Sequence, residues 1–364
     1  MWYFTPGFFL SLLTTTSFVF VQSSFEPKLI QQFEAWIVKH GIVVEMESSH
    51  YHAMLNKWID NDDYIERVNA RNLSYTLGHN QFSGMSLDEF RTVVLPGGLD
   101  VPFSSPLRKS IGSSSAASLL AKDSLAESVD WVRAGAVTPV KDQGQCGSCW
   151  SFSTTGALEG AFYIRHGRQK LVTFSEQQLV DCDNRKNRQV PGKDSGCNGG
   201  LMDNAFDWIH RNGGLCNESM YPYVSGTSQK EGECQTACSL VQGSHILSFV
   251  DVEPSQEMAF MSALTQQPVS VAIQADQRDF QLYKSGVFTG TCGTKLDHGV
   301  LAVGYGREED SGIDYYLVKN SWSTSWGLDG YIRLGRGKDP KTDEPYNHGD
   351  GQCGILLSAS YPVL

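Results

Sequence analysis

The sequence predicts an α+β protein in which a helical leading segment precedes a body that is helical in its first half and built of strands in its second. Three observations carry this reading. Apolar residues recur at three- and four-residue steps between residues 25 and 95, as Phe33, Trp36, Ile37 and then Met54, Leu55, Trp58, Ile65, Val68. The same step returns in Trp150, Thr154, Ala157, Leu158, Ala161, Phe162 and Arg165. Farther on the pattern changes to alternation, as in Val269, Val271 and Ile273. A helical half followed by a strand half predicts two lobes with a cleft between them.

In chain order, Phe8 to Val21 is an uncharged run ending at the small residues Ser23 and Ser24. It is shorter than the roughly 20 residues of a membrane span and predicts an export signal over residues 1–23. The leading segment follows over residues 24–124. Its end is rich in breakers, from Pro96-Gly97-Gly98 through Pro106 and Gly112 to Ser113-Ser114-Ser115, which predicts a protease-accessible linker cut near residues 115–126. The body spans residues 125–364 and holds every cysteine. Its first helix stops at Gly167, Ser175-Glu176-Gln177-Gln178 reads as a capping box, and Leu201 to Ile209 predicts a third helix ended by Gly213-Gly214. Strands are expected over 269–273, 299–305, 315–320 and 331–334.

A hydrophobic content of 40% and a charged content of 19% over 364 residues describe a globular protein. The net charge of −11 argues against a nucleic-acid partner and suits an acidic lumen. Nine cysteines in an exported chain predict an oxidising compartment, with eight to pair and one left for chemistry. The sequons Asn72-Leu73-Ser74 and Asn217-Glu218-Ser219 fit that compartment.

The chemistry centres on Gln143-Gly144-Gln145-Cys146-Gly147-Ser148-Cys149-Trp150. Cys149 falls at a helix N-terminus, where the helix dipole favours a thiolate. A free thiol has a pKa of about 8.5, so activity at acidic pH also requires a histidine partner. His298 opens one strand and Asn320 ends the next. An antiparallel hairpin with Tyr305 opposite Tyr315 brings His298 to Asn320 within a residue or two, so that Asn320 orients the imidazole and Trp322 shields it. A redox dithiol at Cys146 and Cys149 would need a βα pattern that is missing, and no second Cys-x-x-Cys or His pair supports zinc. His40, His79, His166, His210 and His245 read as surface or packing residues, and Glu308-Glu309-Asp310 as a solvated loop.

Cys-Gly-Ser-Cys-Trp resembles the catalytic signature of papain and the cathepsins. Asp297-His298-Gly299, Lys319-Asn320-Ser321-Trp322 and Cys197-Asn198-Gly199-Gly200 resemble further blocks of that family, and the similarity runs from about residue 30 to the end. The resemblance implies a papain-like two-lobed fold, with a helical left lobe, an antiparallel β-barrel-like right lobe and an inhibitory propeptide in front. It implies a cathepsin L-like cysteine endopeptidase made as a zymogen, with Cys149 as nucleophile, His298 as acid–base partner, Asn320 as its orienter and Gln143 as oxyanion donor.

The resemblance further implies that substrate meets Gly199, Gly200, Leu201, Met202, Ala272, Leu296, Asp297, Trp322 and Ser358, with the side chain of the second residue before the scissile bond in a pocket whose walls and floor lie among them. The apolar walls Leu201, Met202, Ala272 and Leu296 with the neutral floor Ser358 predict a preference for aliphatic or aromatic side chains at the second residue before the scissile bond. The resemblance also implies bridges Cys146–Cys197, Cys182–Cys234 and Cys292–Cys353, leaving Cys216 and Cys238 for a fourth; Cys234 and Cys238 could exchange partners. Trp58, Asn61, Ile65 and Asn69, then Gly78, Asn80 and Phe82, keep the spacing of the family propeptide, whereas His50, Met54 and Gly84 depart from it. Those departures raise the expectation that His50 protonation contributes to release. The expected partners are peptide and protein substrates and the chain's own propeptide, acting on a monomer without cofactor or metal. The expected location is the secretory pathway, leading to a lysosome or vacuole or outside the cell, with no membrane association after signal removal. A catalytically silent homologue and an acyl transferase with an amine acceptor are the rival readings.

Overall fold

A computed structural model describes residues 27–96, 99 and 125–364; the expected signal, most of the linker and the expected maturation site lie outside the described residues. In chain order the leading segment gives α1 (Pro27–Lys39), α2 (Ser49–Asn69), β1 (Tyr75–Leu77) and α3 (Leu87–Val94). The body gives β2 (Val129–Asp130), α4 (Cys149–Arg165), α5 (Glu176–Cys182), α6 (Met202–Asn212), α7 (Ser225–Ser228) and β3 (Ser248–Asp251). It continues with α8 (Glu257–Gln266), β4 (Val269–Ile273), α9 (Arg278–Gln281), β5 (Tyr283–Phe288), β6 (His298–Arg307), β7 (Asp314–Lys319), β8 (Tyr331–Gly335) and β9 (Ala359–Val363).

Residues 27–42 form a compact unit of their own, in which Phe33 and Trp36 stack on the apolar face of α1 with ring centroids 5.6 Å apart. The second unit holds the described residues from Val43 onward. Its strands pair in the order β1-β5-β8-β7-β6-β4-β9-β3, with β2 added beside β6. The ladder is antiparallel, as expected, at every pairing but one: β5 and β8 run parallel. A parallel pair needs a long crossover, and the chain between Phe288 and Tyr331 supplies it by way of β6 and β7.

The seam between helical and strand lobes is α4. Every residue from Cys149 to Phe162 is buried, so this helix has no solvent face. Gly156 and Gly160 make that possible, because a Cβ on Gly156 would lie 2.8 Å from Leu301 Cδ2 and one on Gly160 2.6 Å from Pro268 Cγ. Hydroxyls satisfy what the seam buries: Ser153 Oγ donates to Val300 O at 2.6 Å and Ser270 Oγ to Ser153 O at 2.9 Å.

The capping box expected at Ser175 forms only by half. Ser175 Oγ accepts from Gln178 N, but the Gln178 side chain accepts from Cys216 N instead, so a tertiary donor wins it from the local motif. A complete box appears at Ser86 and Glu89 on α3. The β6–β7 hairpin keeps the expected register near the cleft, with Leu301 opposite Lys319 and Ala302 opposite Val318. Above a bulge between Ala302 and Gly304 it shifts by one, so Tyr305 faces Tyr316 rather than Tyr315. Glu308 is not simply solvated, since it accepts from Arg333 Nη1 at 2.7 Å.

Candidate active site

Three backbone devices bring the candidate residues together. The N-terminus of α4 presents Cys149, the start of β6 presents His298, and the chain just past β7 presents Asn320. Cys149 Sγ accepts from Gly299 N at 3.4 Å, which sets the thiol beside the residue following His298. His298 Nε2 and Asn320 Oδ1 lie 2.8 Å apart, and the Trp322 ring stacks over His298 at 4.5 Å with 20° between planes. His298 Nδ1 is buried and has no hydrogen-bond partner among the described residues, which leaves that nitrogen for chemistry.

Gln143 is held on both sides. Its Oε1 accepts from Ser321 Oγ at 2.6 Å, which turns Nε2 away from Ser321 as the donor end of the amide; its backbone N–H donates to Ser321 O at 2.8 Å. The Nε2 donates to Cys146 O at 3.0 Å and to Val94 O, in the leading segment, at 3.3 Å. Behind Asn320 the two lobes are tied by charge: Lys319 Nζ donates to Thr138 Oγ1 at 3.0 Å, and Thr138 Oγ1 donates to Glu159 Oε2 at 2.6 Å. Lys141 pairs with Glu159 and with Glu176 in the same network. Sequence reasoning missed Ser321 and this network; Ser321 sat inside the Asn320 block, whereas the lysines and glutamates lie on four separate segments with no shared spacing.

The leading segment covers the cleft. Phe82 and Phe90 meet the Trp322 ring edge-on at 5.4 Å each. Val94 and Leu95 belong to the apolar cluster that contains Trp322. Pro96 lies against Gly147, where an added Cβ would come within 2.7 Å of Pro96 O. Leu99 is buried in the cluster that contains Cys149, Met202 and Ala272, with Leu201 and Leu296 packed against it. Met202, Ala272 and Ser358 are buried, and Ala272 N donates to Ser358 O at 2.9 Å. Asp297 Oδ1 accepts from Ala275 N at 2.7 Å. Gly200 is wedged against the Trp150 ring. Of the three propeptide departures, His50 is exposed at the start of α2, and Met54 and Gly84 are half-buried.

A body of helical and strand lobes with Cys149, His298 and Asn320 at the seam, roofed by a leading segment, matches two family models: "Papain family cysteine protease" over residues 125–363 and "Cathepsin propeptide inhibitor domain (I29)" over residues 33–90. The chain belongs to the papain family of cysteine proteases. It is 42% identical over 335 residues to "Probable cysteine protease RD21B" of Arabidopsis thaliana, covering 91% of this chain and 66% of that relative, so it spans just under two thirds of the relative's length. Among solved structures it resembles "Recombinant stem bromelain precursor" with a TM-score of 0.77 and 35% identity, covering 93% of this chain and 99% of that one. It resembles the proform of the ragweed pollen cysteine protease Amb a 11 with a TM-score of 0.77 and 36% identity, covering 93% and 95%.

The four disulfides of this papain-family chain are Cys146–Cys197, Cys182–Cys234, Cys216–Cys238 and Cys292–Cys353, and Cys149 is the free cysteine. No group of residues suited to a metal ion occurs among the described residues.

Burial governs the protonation of the covered site. It pushes the Cys149 thiol from the ordinary 9.0 up to about 11. It pushes His298 from 6.5 down to about 4, against the opposing hydrogen bond to Asn320. The helix N-terminus was expected to favour the thiolate; here desolvation wins. The thiol's rise amounts to about 3 kcal/mol, whereas a helix terminus contributes roughly 0.3–2 kcal/mol. Burial likewise raises Asp297 to about 7. Thiol and imidazole are therefore both neutral near pH 6. At pH 7 a thiol with a pKa of about 11 is ionised to about one part in ten thousand. Alkylation of Cys149 by iodoacetamide at pH 7 should be at least about 100-fold slower in the precursor than after removal of the leading segment. In the precursor the rate should climb about tenfold per pH unit up to pH 11. Equal rates in the two forms would show that the cover does not suppress the thiolate.

Proposed function

We propose that this chain is the zymogen of a cysteine endopeptidase that hydrolyses peptide bonds through a thioacyl-enzyme, with Cys149, His298, Asn320 and Gln143 as its catalytic group. The observation that carries the reading is the His298–Asn320 contact at 2.8 Å beneath Trp322, with the Cys149 thiol beside Gly299. With the cover gone, water reaches the pair and the desolvation cost falls, so the Cys149 proton passes to His298 Nδ1 and a thiolate–imidazolium pair forms. The sulfur attacks the peptide carbonyl, and the oxygen's new charge is met by Gln143 Nε2 and the Cys149 backbone N–H. His298 then gives its proton to the departing amine as the C–N bond breaks. Water, deprotonated by His298, cleaves the thioester and restores the thiol.

The same geometry accounts for self-inhibition. Val94 O accepts from the amide that would serve the oxyanion, and the covering chain runs from the Trp322 side at Val94 to the Met202 side at Leu99. A substrate whose second residue before the scissile bond fills the Met202 and Ala272 pocket runs the other way. The cover thus occupies the cleft in the direction opposite to a substrate. Residues 24–124 serve as this propeptide and 125–364 as the peptidase body. Four disulfides among the described residues support passage through the secretory pathway toward an acidic vacuole, a lysosome or the exterior, with the first 23 residues as the export signal. No described helix is long and apolar enough to cross a membrane. The mature body acts as a monomer on peptides and proteins.

Gln143→Ala should lower kcat by roughly 100–1000-fold with thiol reactivity retained, and unaltered turnover would remove Gln143 from the mechanism. Buried Met202 and Ala272 with neutral Ser358 favour an apolar substrate side chain. A peptide library profiled at the second position before the cut should be led by aliphatic or aromatic residues; a profile led by arginine would refute that assignment.

A further inference from the structure

Beside the disulfide pair Cys146–Cys197, two acidic side chains meet where a charge-bearing pair is costly. Asp183 follows the last turn of α5, and the bridge between Asn184 and Asp194 folds the loop so that Asp194 comes alongside it. Both side chains are buried, and their carboxyl groups are within hydrogen-bonding reach of one another. Asp183 Oδ1 accepts from Lys193 N at 3.2 Å. Asp194 Oδ1 accepts from Leu201 N at 3.0 Å and from Asn204 Nδ2 at 2.8 Å. The remaining Oδ2 of each is buried with no partner among the described residues. Two carboxylates in contact cannot both stay ionised in such a place, and a single proton between them satisfies both orphaned oxygens.

What this pair touches gives it a role. Asp194 accepts from the backbone of Leu201, and a Cβ on Gly200 would lie 2.7 Å from Asp194 Cγ and 2.6 Å from Trp150 Cδ2. Ser195 N donates to Gly199 O at 2.9 Å. The Gly199–Leu201 segment is thereby clamped between Asp194 and the tryptophan that follows Cys149 in sequence. We propose that Asp183 and Asp194 share one proton and act together as positioning residues that hold Gly199–Leu201 at the height a substrate backbone requires. The inference rests on the reading above, in which that segment binds substrate.

The shared proton makes the clamp pH-dependent. Burial raises both groups, Asp194 to about 6 and Asp183 well above its ordinary value, the latter also through the charge of Asp194. An acid raised in this way keeps its proton at low pH and loses it as pH rises through the folded value. Lys193, on the same loop, and Arg211, on α6, face the pair and favour ionisation. Asp207 of α6 offsets them, accepting from Lys193 Nζ at 3.4 Å and from Arg211 Nε at 3.2 Å. Glu231, paired with Lys186, lies against the adjacent Gly196. Asp194 gives up the pair's first proton near pH 6, which leaves the single shared proton in place; once Asp183 ionises as well at higher pH, two repelling carboxylates replace the clamp and substrate affinity falls.

The test compares mature wild-type enzyme with Asp183→Asn and Asp194→Ala from about pH 5 into the alkaline range, to about pH 9. In Asp183→Asn the amide donates to Asp194 at every pH, so no shared proton is needed. Wild-type KM should rise about tenfold across this range while that of Asp183→Asn stays flat, with kcat little changed. Asp194→Ala should show a KM about tenfold higher already at pH 5, because Leu201 N–H and Asn204 lose their acceptor. Infrared difference spectra read the proton without reference to activity: a protonated-carboxyl band should be present in the wild type at about pH 7, above the titration of Asp194, and absent from Asp183→Asn. Identical KM profiles in the wild type and Asp183→Asn, or no difference in that band, would overturn the proposal. An enzyme that shows the band but cleaves no peptide would instead count against the proposed function.

Discussion

The burial of α4 between the two lobes is the constraint from which the rest follows. A helix with no solvent face must be met on all sides, and its glycines at 156 and 160 let the strand lobe approach closely enough to do so. That contact fixes the N-terminus of α4 against the start of β6, and with it Cys149 against Gly299. The pairing of β4 with β6 then places Ala272 opposite Gly299 and Ile273 opposite His298, so the proposed specificity pocket and the imidazole are carried on one ladder. Lys319, whose charge burial lowers to a pKa of about 8, reaches across to Thr138 and couples the lobes directly behind Asn320. A change at the seam would therefore be felt at the cleft before it was felt elsewhere.

Control in this molecule is exercised mainly through solvation. Phe82, Phe90, Val94 and Leu99 remove water from around the thiol and the imidazole, and both respond by going neutral. The helix terminus and the orienting amide of Asn320 are in place throughout, but neither outweighs desolvation while the cover remains. Removing the cover changes the dielectric surroundings of a preassembled group; it need not assemble that group. Docking of the cover is itself anchored far from the chemistry, where β1 adds to β5 and Arg278 Nε and Nη2 donate to Asn61 Oδ1.

Much of this was legible in the residues. The periodicity from Trp150 to Arg165 marked α4, alternation marked β4 and β6 to β8, and the hairpin register placed His298 near Asn320 because the bulge lies on the far side of Ala302. The helix α8 and the strands β3, β5 and β9 were not marked: the strands have four to six residues, and β5 is interrupted by Gly286, so no clear alternation develops. At the site, the helix start marked Cys149 and the hairpin register marked Asn320, whereas the role proposed for Gln143 and three of the four cysteine pairs came from the family resemblance, with Cys216 and Cys238 left over for the fourth. The Lys141, Glu159, Glu176 and Lys319 network and the Asp183–Asp194 contact arise only on folding, since their members are brought together from different segments or by a loop of irregular shape. Protonation was the hardest to read, because it depends on which atoms exclude water. The sequence alone favoured a thiolate at Cys149 that the covered cleft suppresses.

The most direct test is to acidify the purified precursor under mild reductant with an epoxide affinity label for thiol proteases, then locate the label and the new N-terminus by mass spectrometry. The account predicts label on Cys149 alone, appearing together with a new terminus near Leu125. No label, or label spread over several cysteines, would contradict it, because a preassembled thiol–imidazole group released from its cover must react first and alone.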